Sequence, residues 1–394
     1  MLKNKNVLLG VTGGIAAYKA CELISLLKTS GANVRIMMTE SATKFVTPLT
    51  FGTLTGHNVA YDMFSPPENY EVEHISFAQW ADVTVIVPAT ANVIGKIACG
   101  IADDFVTTTV MATSSPCVIA PAMNTGMYEN PIVQANIEKL KGLGYIFVEP
   151  GCGRLACGDV GRGHLADIGC IFDAVKSTVC PKDLVGKKVL VTAGPTREAI
   201  DPVRFISNRS TGKMGYEIAK AAQLRGADVT LVSGPVNIPK PNGVNVISVE
   251  SAEDMYREVI NAAPDMDIII KSAAVADFKP SQVTSEKIKK NNMKDISLEK
   301  NPDILLSLSK MELNAIVVGF SMETENLIEN SEKKLKEKKL NFIVANNLKT
   351  EGAGFGTDTN VVTIIGKDGV CELPIMSKES VAHTIFDRIV RNEK

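Results

Sequence analysis

Apolar and polar positions along this chain follow two periods in turn. Short unbroken apolar runs such as VLLGV at 7–11 and VRIMM at 34–38 fit strands buried on both faces. Between those two runs, from about Ile15 to Lys28, apolar residues recur at the spacing of one helix face. Residues 6–39 and 188–233 each read as buried strand, Gly-rich turn, amphipathic helix, Gly-Ala turn and second buried strand. They form two βαβ units of the nucleotide-binding kind, in tandem. Such a turn presents backbone N–H groups and a helix N-terminus to a phosphate, so each half should hold an anionic ligand at its strand C-termini.

The first half continues in the same pattern. Buried strands are predicted at 82–90 and 116–124, and the strands end in Thr12, Thr39, Ser41, Thr90, Asn92 and Asn124. Taken singly, each of these residues reads as a cap on the next helix. As a set on one sheet edge they read as a pocket. Pro181 and Gly186 break the pattern after a helix, and this is the expected interdomain boundary. The predicted fold is α/β with two three-layer parallel-sheet domains, flavodoxin-like over 1–180 and Rossmann-like over 186–394.

Composition agrees with two domains, since 394 residues exceed the usual single-domain size. A net charge of -2 argues against nucleic acid as a partner. The N-terminus lacks a signal-peptide pattern and no apolar run is long enough for a bilayer, so a cytoplasmic protein is expected. The eight cysteines are scattered, and the spacing of Cys152 and Cys157 matches neither a redox pair nor a zinc knuckle. Neither Gly-rich turn carries the dinucleotide fingerprint, and STGKMG at 210–215 is not a P-loop.

In order along the first half stand GVTGGIAAYK, EHISFAQWAD, PATANVIGKIACG, APAMNTGMY and LACGDVGRG. The second half carries AGPTREAIDPVRFISNRSTGKMG, SAAVADF, KIKK, KNPDIL and GFSMETEN. Together these motifs resemble the bacterial bifunctional phosphopantothenoylcysteine decarboxylase/phosphopantothenate-cysteine ligases of coenzyme A biosynthesis, over nearly the whole chain. The resemblance implies CTP-dependent ligation of L-cysteine to 4′-phosphopantothenate through an acyl-cytidylate, then FMN-dependent decarboxylation to 4′-phosphopantetheine. Direct loss of CO2 from an N-acylcysteine would leave a carbanion with no electron sink, and a flavin removes that difficulty.

For the decarboxylase, the resemblance implies His74 as the active-site histidine, Asn124 as the holder of the substrate carboxylate and Cys157 as the proton donor. It assigns FMN to Thr12, Gly13, Gly14, Ser41, Thr90 and Asn92. For the ligase, it implies Asn208 in acyl-cytidylate formation and Lys287 in its conversion. CTP falls to Lys271, Ser272, Ala273, Asp277, Lys287, Asn301, Pro302, Asp303, Ile304, Phe320, Lys334 and Lys338, and Mg2+ or Mn2+ to Asp277. Lys334 and Lys338 lie four apart and share one helix face. The implied assembly is a dodecamer of trimeric decarboxylase units with dimeric ligase units. Two other readings stand beside it: a two-domain nicotinamide oxidoreductase, and a regulatory flavoprotein without catalysis.

Overall fold

The structure is a computed structural model that describes residues 2–64, 72–154, 160–288, 295–323, 327–347, 354 and 356–392. The chain divides into two compact units, Met1–Cys180 and Pro181–Lys394. Among the described residues, no helix is long and apolar enough to cross a membrane.

The first unit is built on β1 (Asn6–Val11), β2 (Asn33–Met38), β3 (Val59–Ala60), β4 (Val83–Ala89), β5 (Cys117–Pro121) and β6 (Ile146–Phe147). These form a parallel sheet in the order β3-β2-β1-β4-β5-β6. Without the two-residue edge strand β3, the remaining five follow the flavodoxin order. Successive side chains of a strand point to opposite faces, and the core divides accordingly. Val7, Leu9 and Val11 pack with Leu23, Ile24, Leu27, Ile171 and Val175 from the helices Ala20–Thr29 and Ile168–Val179. Leu8 turns the other way, toward Val93, Ile97, Val106 and Leu140. Both faces are therefore covered by helices, which is why β1 tolerates no polar position and reads as an unbroken apolar run. The helix predicted from Ile15 opens as a 3₁₀ turn, Ile15–Lys19, before the α-helix begins at Ala20. After the sheet, β7 (Gly151–Arg154) and β8 (Val160–His164) pair antiparallel and attach beside β5, where the Met123 N–H donates to the Gly163 carbonyl at 2.9 Å.

The second unit contains β9 (Lys188–Ala193), β10 (Arg197–Ala199), β11 (Phe205–Ser207), β12 (Asp228–Ser233), β13 (Asn245–Ser248), β14 (Ile268–Lys271), β15 (Phe278–Pro280) and β16 (Leu298–Lys300). It continues through β17 (Ile316–Glu323), β18 (Phe342–Asn347), β19 (Thr359–Asn360), β20 (Val362–Gly366) and β21 (Gly369–Glu372). Among the described residues the main sheet runs β13-β12-β9-β14-β17-β18-β20-β21. Its first six strands are parallel and follow the Rossmann order, 3-2-1-4-5-6 when counted within this sheet. The sheet is not wholly parallel, as had been expected from the sequence. β20 and β21 run antiparallel at one edge because Gly366 pairs with Gly369 across the two-residue turn Lys367–Asp368, which leaves no length for a crossover helix.

The core again alternates across the sheet. Val189 and Val191 pack toward the helices Lys213–Leu224 and Lys378–Asn392, and Leu190 packs toward Ala252–Ala262 and Ile304–Leu308. Arg225 ties the start of this unit to its last helix. Its guanidinium is buried, donating to Asp183 at 2.8 and 2.5 Å and to Asp387 at 2.7 Å, with its carbon 5.9 Å from the Phe386 ring centroid.

Candidate functional site

The C-terminal ends of β1, β2, β4 and β5 open into a cavity of about 940 Å3, within the size range of small-molecule sites. Gly13, Gly14, Ser41, Thr90, Asn92 and Asn124 all line it, so most of the predicted FMN set is brought together with the predicted carboxylate holder. Gly13 is required by close approach, because a Cβ there would overlap Ser41. The Gly14 N–H is spent inside the turn, on the Thr12 carbonyl at 2.9 Å. Thr39 and Thr90 cap the following helices, accepting from the Ala42 and Val93 N–H groups.

Thr12 does not line the cavity. It is fully buried, its hydroxyl donating to the Pro88 carbonyl at 2.6 Å and accepting from the Thr90 N–H at 3.1 Å, and so it knits β1 to the end of β4. Asn124 accepts the Gly126 N–H at 2.8 Å through Oδ1 and caps the short helix that follows. His74, second residue of the helix Glu73–Trp80, is half-buried and is not among the residues lining the cavity of the single chain. Cys157 lies outside the described residues.

Several lining residues had no sequence reading: Lys19, Lys96, Asp103, Met127 and His164. Lys96 bonds Asp103 at 2.6 Å and Asp104 at 3.0 Å. Burial opposes the Lys96 charge, but these two carboxylates outweigh it and raise its pKa. The Lys96 hydrogen bond likewise holds the Asp103 carboxyl below its ordinary value. The proximity of ADDF to IGK was the available signal. His164 reaches the cavity only because β8 folds back against β5.

These residues fit a flavin nucleotide. Hydroxyls, amides and the N-terminus of the nine-residue helix Ala91–Cys99 occupy one side, and Ile15, Ala16, Met123, Met127 and Leu165 supply apolar walls.

In the second unit a smaller cavity of about 310 Å3 lies at the ends of β14, β17 and β18. It gathers Asn208, Lys271, Ser272, Ala273, Asp277, Phe320 and Lys334. Gly212, with φ of +80°, caps the helix Lys213–Leu224 from the left-handed region, and a Cβ there would stand 2.7 Å from Val236 Cγ1. Asn208 donates from its side chain to the Ala274 carbonyl at 2.9 Å. Burial is the main cause that pushes the Lys271 pKa down, assisted by Lys338.

The segment 301–304 stands behind this wall rather than in it. Asn301 donates to the Ala276 carbonyl from its side chain and to the Asp277 carbonyl from its backbone, both at 2.9 Å. Asp303 caps the helix begun by Ile304, accepting the Leu306 N–H at 3.1 Å, and pairs with Lys338 at 2.8 Å. Burial works to raise the Asp303 pKa, but the hydrogen bonds from Lys338 and the Leu306 N–H, with the charges of Lys338 and Lys271, together bring it below its ordinary value. Lys338 is thus engaged beside the cavity and is not in its lining; Pro302 is also outside it. Lys287 is exposed and likewise absent from the lining.

Sequence reading missed Lys213, Lys378 and Asn346 at this cavity. The buried Oδ1 of Asn346 has no partner among the described residues, and only the end of β18 could have hinted at it. Lys378 is buried, donates to the Gly354 carbonyl at 2.9 Å and has its pKa pushed down chiefly by burial. Asp277 is the single acid in the lining, and no cluster of three metal-ligating side chains exists among the described residues. One carboxylate suits a divalent ion that arrives on nucleotide phosphates.

Two doubly wound α/β units, each with a polar crevice at the C-terminal edge of its sheet, define a tandem α/β protein with two unlike candidate sites. Residues 1–180 match the Flavoprotein family, and residues 184–392 match the DNA/pantothenate metabolism flavoprotein C-terminal domain. The chain is 50% identical over 400 residues to the coenzyme A biosynthesis bifunctional protein CoaBC of Bacillus subtilis (strain 168), covering 100% of this chain and 98% of that one. It is 44% identical over 392 residues to the protein of the same name from Vibrio cholerae, with 98% of each covered. A crystal structure of the C-terminal domain of such a CoaBC protein is 44% identical and covers 53% of this chain and 97% of that one, with a TM-score of 0.47. The chain belongs to the CoaBC family of bifunctional coenzyme A biosynthesis enzymes, as its motifs implied. These matches do not favour the nicotinamide oxidoreductase or the non-catalytic flavoprotein.

Proposed function

We propose that residues 186–394 ligate L-cysteine to 4′-phosphopantothenate at the expense of CTP, and that residues 1–180 decarboxylate the product with FMN to give 4′-phosphopantetheine. The observation that carries this reading is the contrast between the two crevices. One has hydroxyls, amides and apolar walls, with Lys19 in the lining and Lys96 held by Asp103 and Asp104; the other gathers Lys213, Lys271, Lys334 and Lys378 with Asp277 as the single acid among its described lining residues.

In the second unit, the lysines neutralise the triphosphate, and Phe320 provides an apolar face for the base. Asn301, Pro302, Asp303 and Ile304 form the segment assigned to the cytosine edge, and Lys338 supports it through Asp303. Ser272, Ala273 and Asn208 border the place where the acyl-cytidylate forms. Asp277 offers its carboxylate to the Mg2+ or Mn2+ carried in with CTP. Lys287 enters from its loop to orient the activated carbonyl for attack by the cysteine amine.

In the first unit, Ser41, Thr90, Asn92 and the Gly13-Gly14 turn hold FMN, and Thr12 keeps Thr90 in place. Bound FMN would supply the two-electron chemistry that gives the departing carboxylate an electron sink. Asn124 directs its NH2 to that carboxylate, and Cys157 delivers the closing proton. His74 joins the same site in an assembly whose first units are trimeric and whose second units pair, a dodecamer that a mass measurement in solution tests.

The purified chain is expected to be yellow, and to release pyrophosphate from CTP only with 4′-phosphopantothenate present. A colourless protein that leaves CTP intact would falsify the assignment.

A further inference from the structure

Lys287 is exposed on a loop, yet the residue that follows it is gripped at both ends of its peptide. The Ile288 N–H donates to Asp201 Oδ2 at 3.2 Å, and the Ile288 carbonyl accepts from Arg204 Nη2 at 2.6 Å. Asp201 sits in the turn between β10 and β11 with its side chain completely buried. Its other oxygen accepts the Val203 and Arg204 N–H groups, both at 2.8 Å, and Arg204 Nε stands 3.4 Å from Oδ2. The same turn reaches further back along the loop, where the Thr284 N–H donates to the Ile200 carbonyl at 3.2 Å.

A short turn needs only one oxygen of an aspartate, and an asparagine would serve it equally. Here the second oxygen is directed at a residue 87 positions further along the chain. We propose that Asp201 is a positioning residue of the ligase step: through Ile288, and through Arg204 beside it, its second carboxylate oxygen fixes the loop that presents Lys287. Burial alone would raise the pKa of this carboxyl, but the three backbone N–H groups and Arg204 bring it below its ordinary value, so the acceptor is ionised wherever the enzyme works. The inference rests on the role given to Lys287 above.

Asp201→Asn separates the two duties of the side chain. The retained Oδ1 still accepts from Val203 and Arg204, while the new NH2 faces two donors, the Ile288 N–H and Arg204 Nε, and the grip on the loop is lost. In the full-length enzyme, D201N is expected to melt within a few degrees of the wild type and to keep its KM for CTP within about twofold. Its ligation kcat should fall on the order of 10- to 100-fold, because a displaced catalytic group costs rate rather than binding. Amide hydrogen exchange at Ile288 should quicken, and decarboxylation of supplied phosphopantothenoylcysteine should be unchanged. Unaltered kcat in D201N, with a wild-type enzyme that ligates, overturns the inference alone. Equal losses in melting temperature, KM and kcat also overturn it, since they would mark Asp201 as a structural turn residue. A wild-type chain that releases no pyrophosphate from CTP overturns the ligase reading and this inference with it; the exchange rate at Ile288 is read independently of activity.

Discussion

The two crevices occupy the same place in two doubly wound sheets and are lined in opposite ways. In the first unit the polar residues at strand ends are largely engaged locally: Thr12 bridges two strands, Thr39 and Thr90 cap helices, and Asn124 closes a turn with its oxygen. In the second unit four lysines line one small cavity, Lys213 pairing with Asp358 and Lys378 donating to the Gly354 carbonyl, beside a buried Oδ1 of Asn346 that has no partner among the described residues. A shared fold therefore settles where ligands bind, and the loops decide what they are. Hydroxyl, amide and apolar walls, with Lys96 held by Asp103 and Asp104, suit a flavin; converging ammonium groups suit a polyphosphate.

The comparison is broken most severely by separating the two activities. Cys157→Ser should abolish 4′-phosphopantetheine formation, a loss of more than about 100-fold, while phosphopantothenoylcysteine still accumulates at the wild-type rate. Product analysis by mass spectrometry checks both arms, and loss of both activities would contradict independent sites.

Stability provides the next contrast. Burial holds the His383 imidazole down at about 4, well below its ordinary 6.5, in the last helix of the second unit. The unfolded chain thus binds a proton that the folded unit refuses between pH 6.5 and 4. Stability should be level above pH 6.5 and fall by about 3 kcal/mol as the pH drops to 4. Among the described residues the histidines of the first unit are half-buried or exposed, so acid should loosen the second unit first. Urea titrations at pH 7 and 4.5 on the wild type and on His383→Leu test this, the variant losing most of the pH dependence.

Gly13→Val should act on the first crevice alone, because its side chain would meet Ser41. Overpacking of this kind costs about 1–3 kcal/mol. Flavin absorbance should fall with ligation unchanged. The smallest expected effect is Lys334→Ala, which removes one charged partner of the triphosphate, worth about 1.5–3 kcal/mol if fully formed and less at this half-exposed position. KM for CTP should rise about tenfold, with flavin content untouched; an unchanged KM would remove Lys334 from the nucleotide site.

Local pattern made much of this molecule readable. The runs 7–11, 34–38, 82–90 and 116–124 were legible as strands because both of their faces are buried. The Gly-rich turns marked the ligand edge, and the motifs pointed to part of each lining. Some missed residues are local, as Lys19, Lys96, Asp103 and Met127 are, and others are brought in by distant segments: His164 by the fold-back of β8, Lys213 and Asn346 by the arrival of other elements at the end of β14. The antiparallel edge was also overlooked, although KDG between two apolar runs signals a tight hairpin.

By itself, then, the sequence determined the two βαβ beginnings, the boundary breakers and the family, because hydrophobic period, turn chemistry and ordered motifs are local properties. Tertiary structure alone decided which hydroxyls are spent as caps and which lysines converge. It also decided that an aspartate in one hairpin turn holds the peptide after Lys287. Those outcomes depend on distances between residues far apart in the chain, which periodicity does not encode.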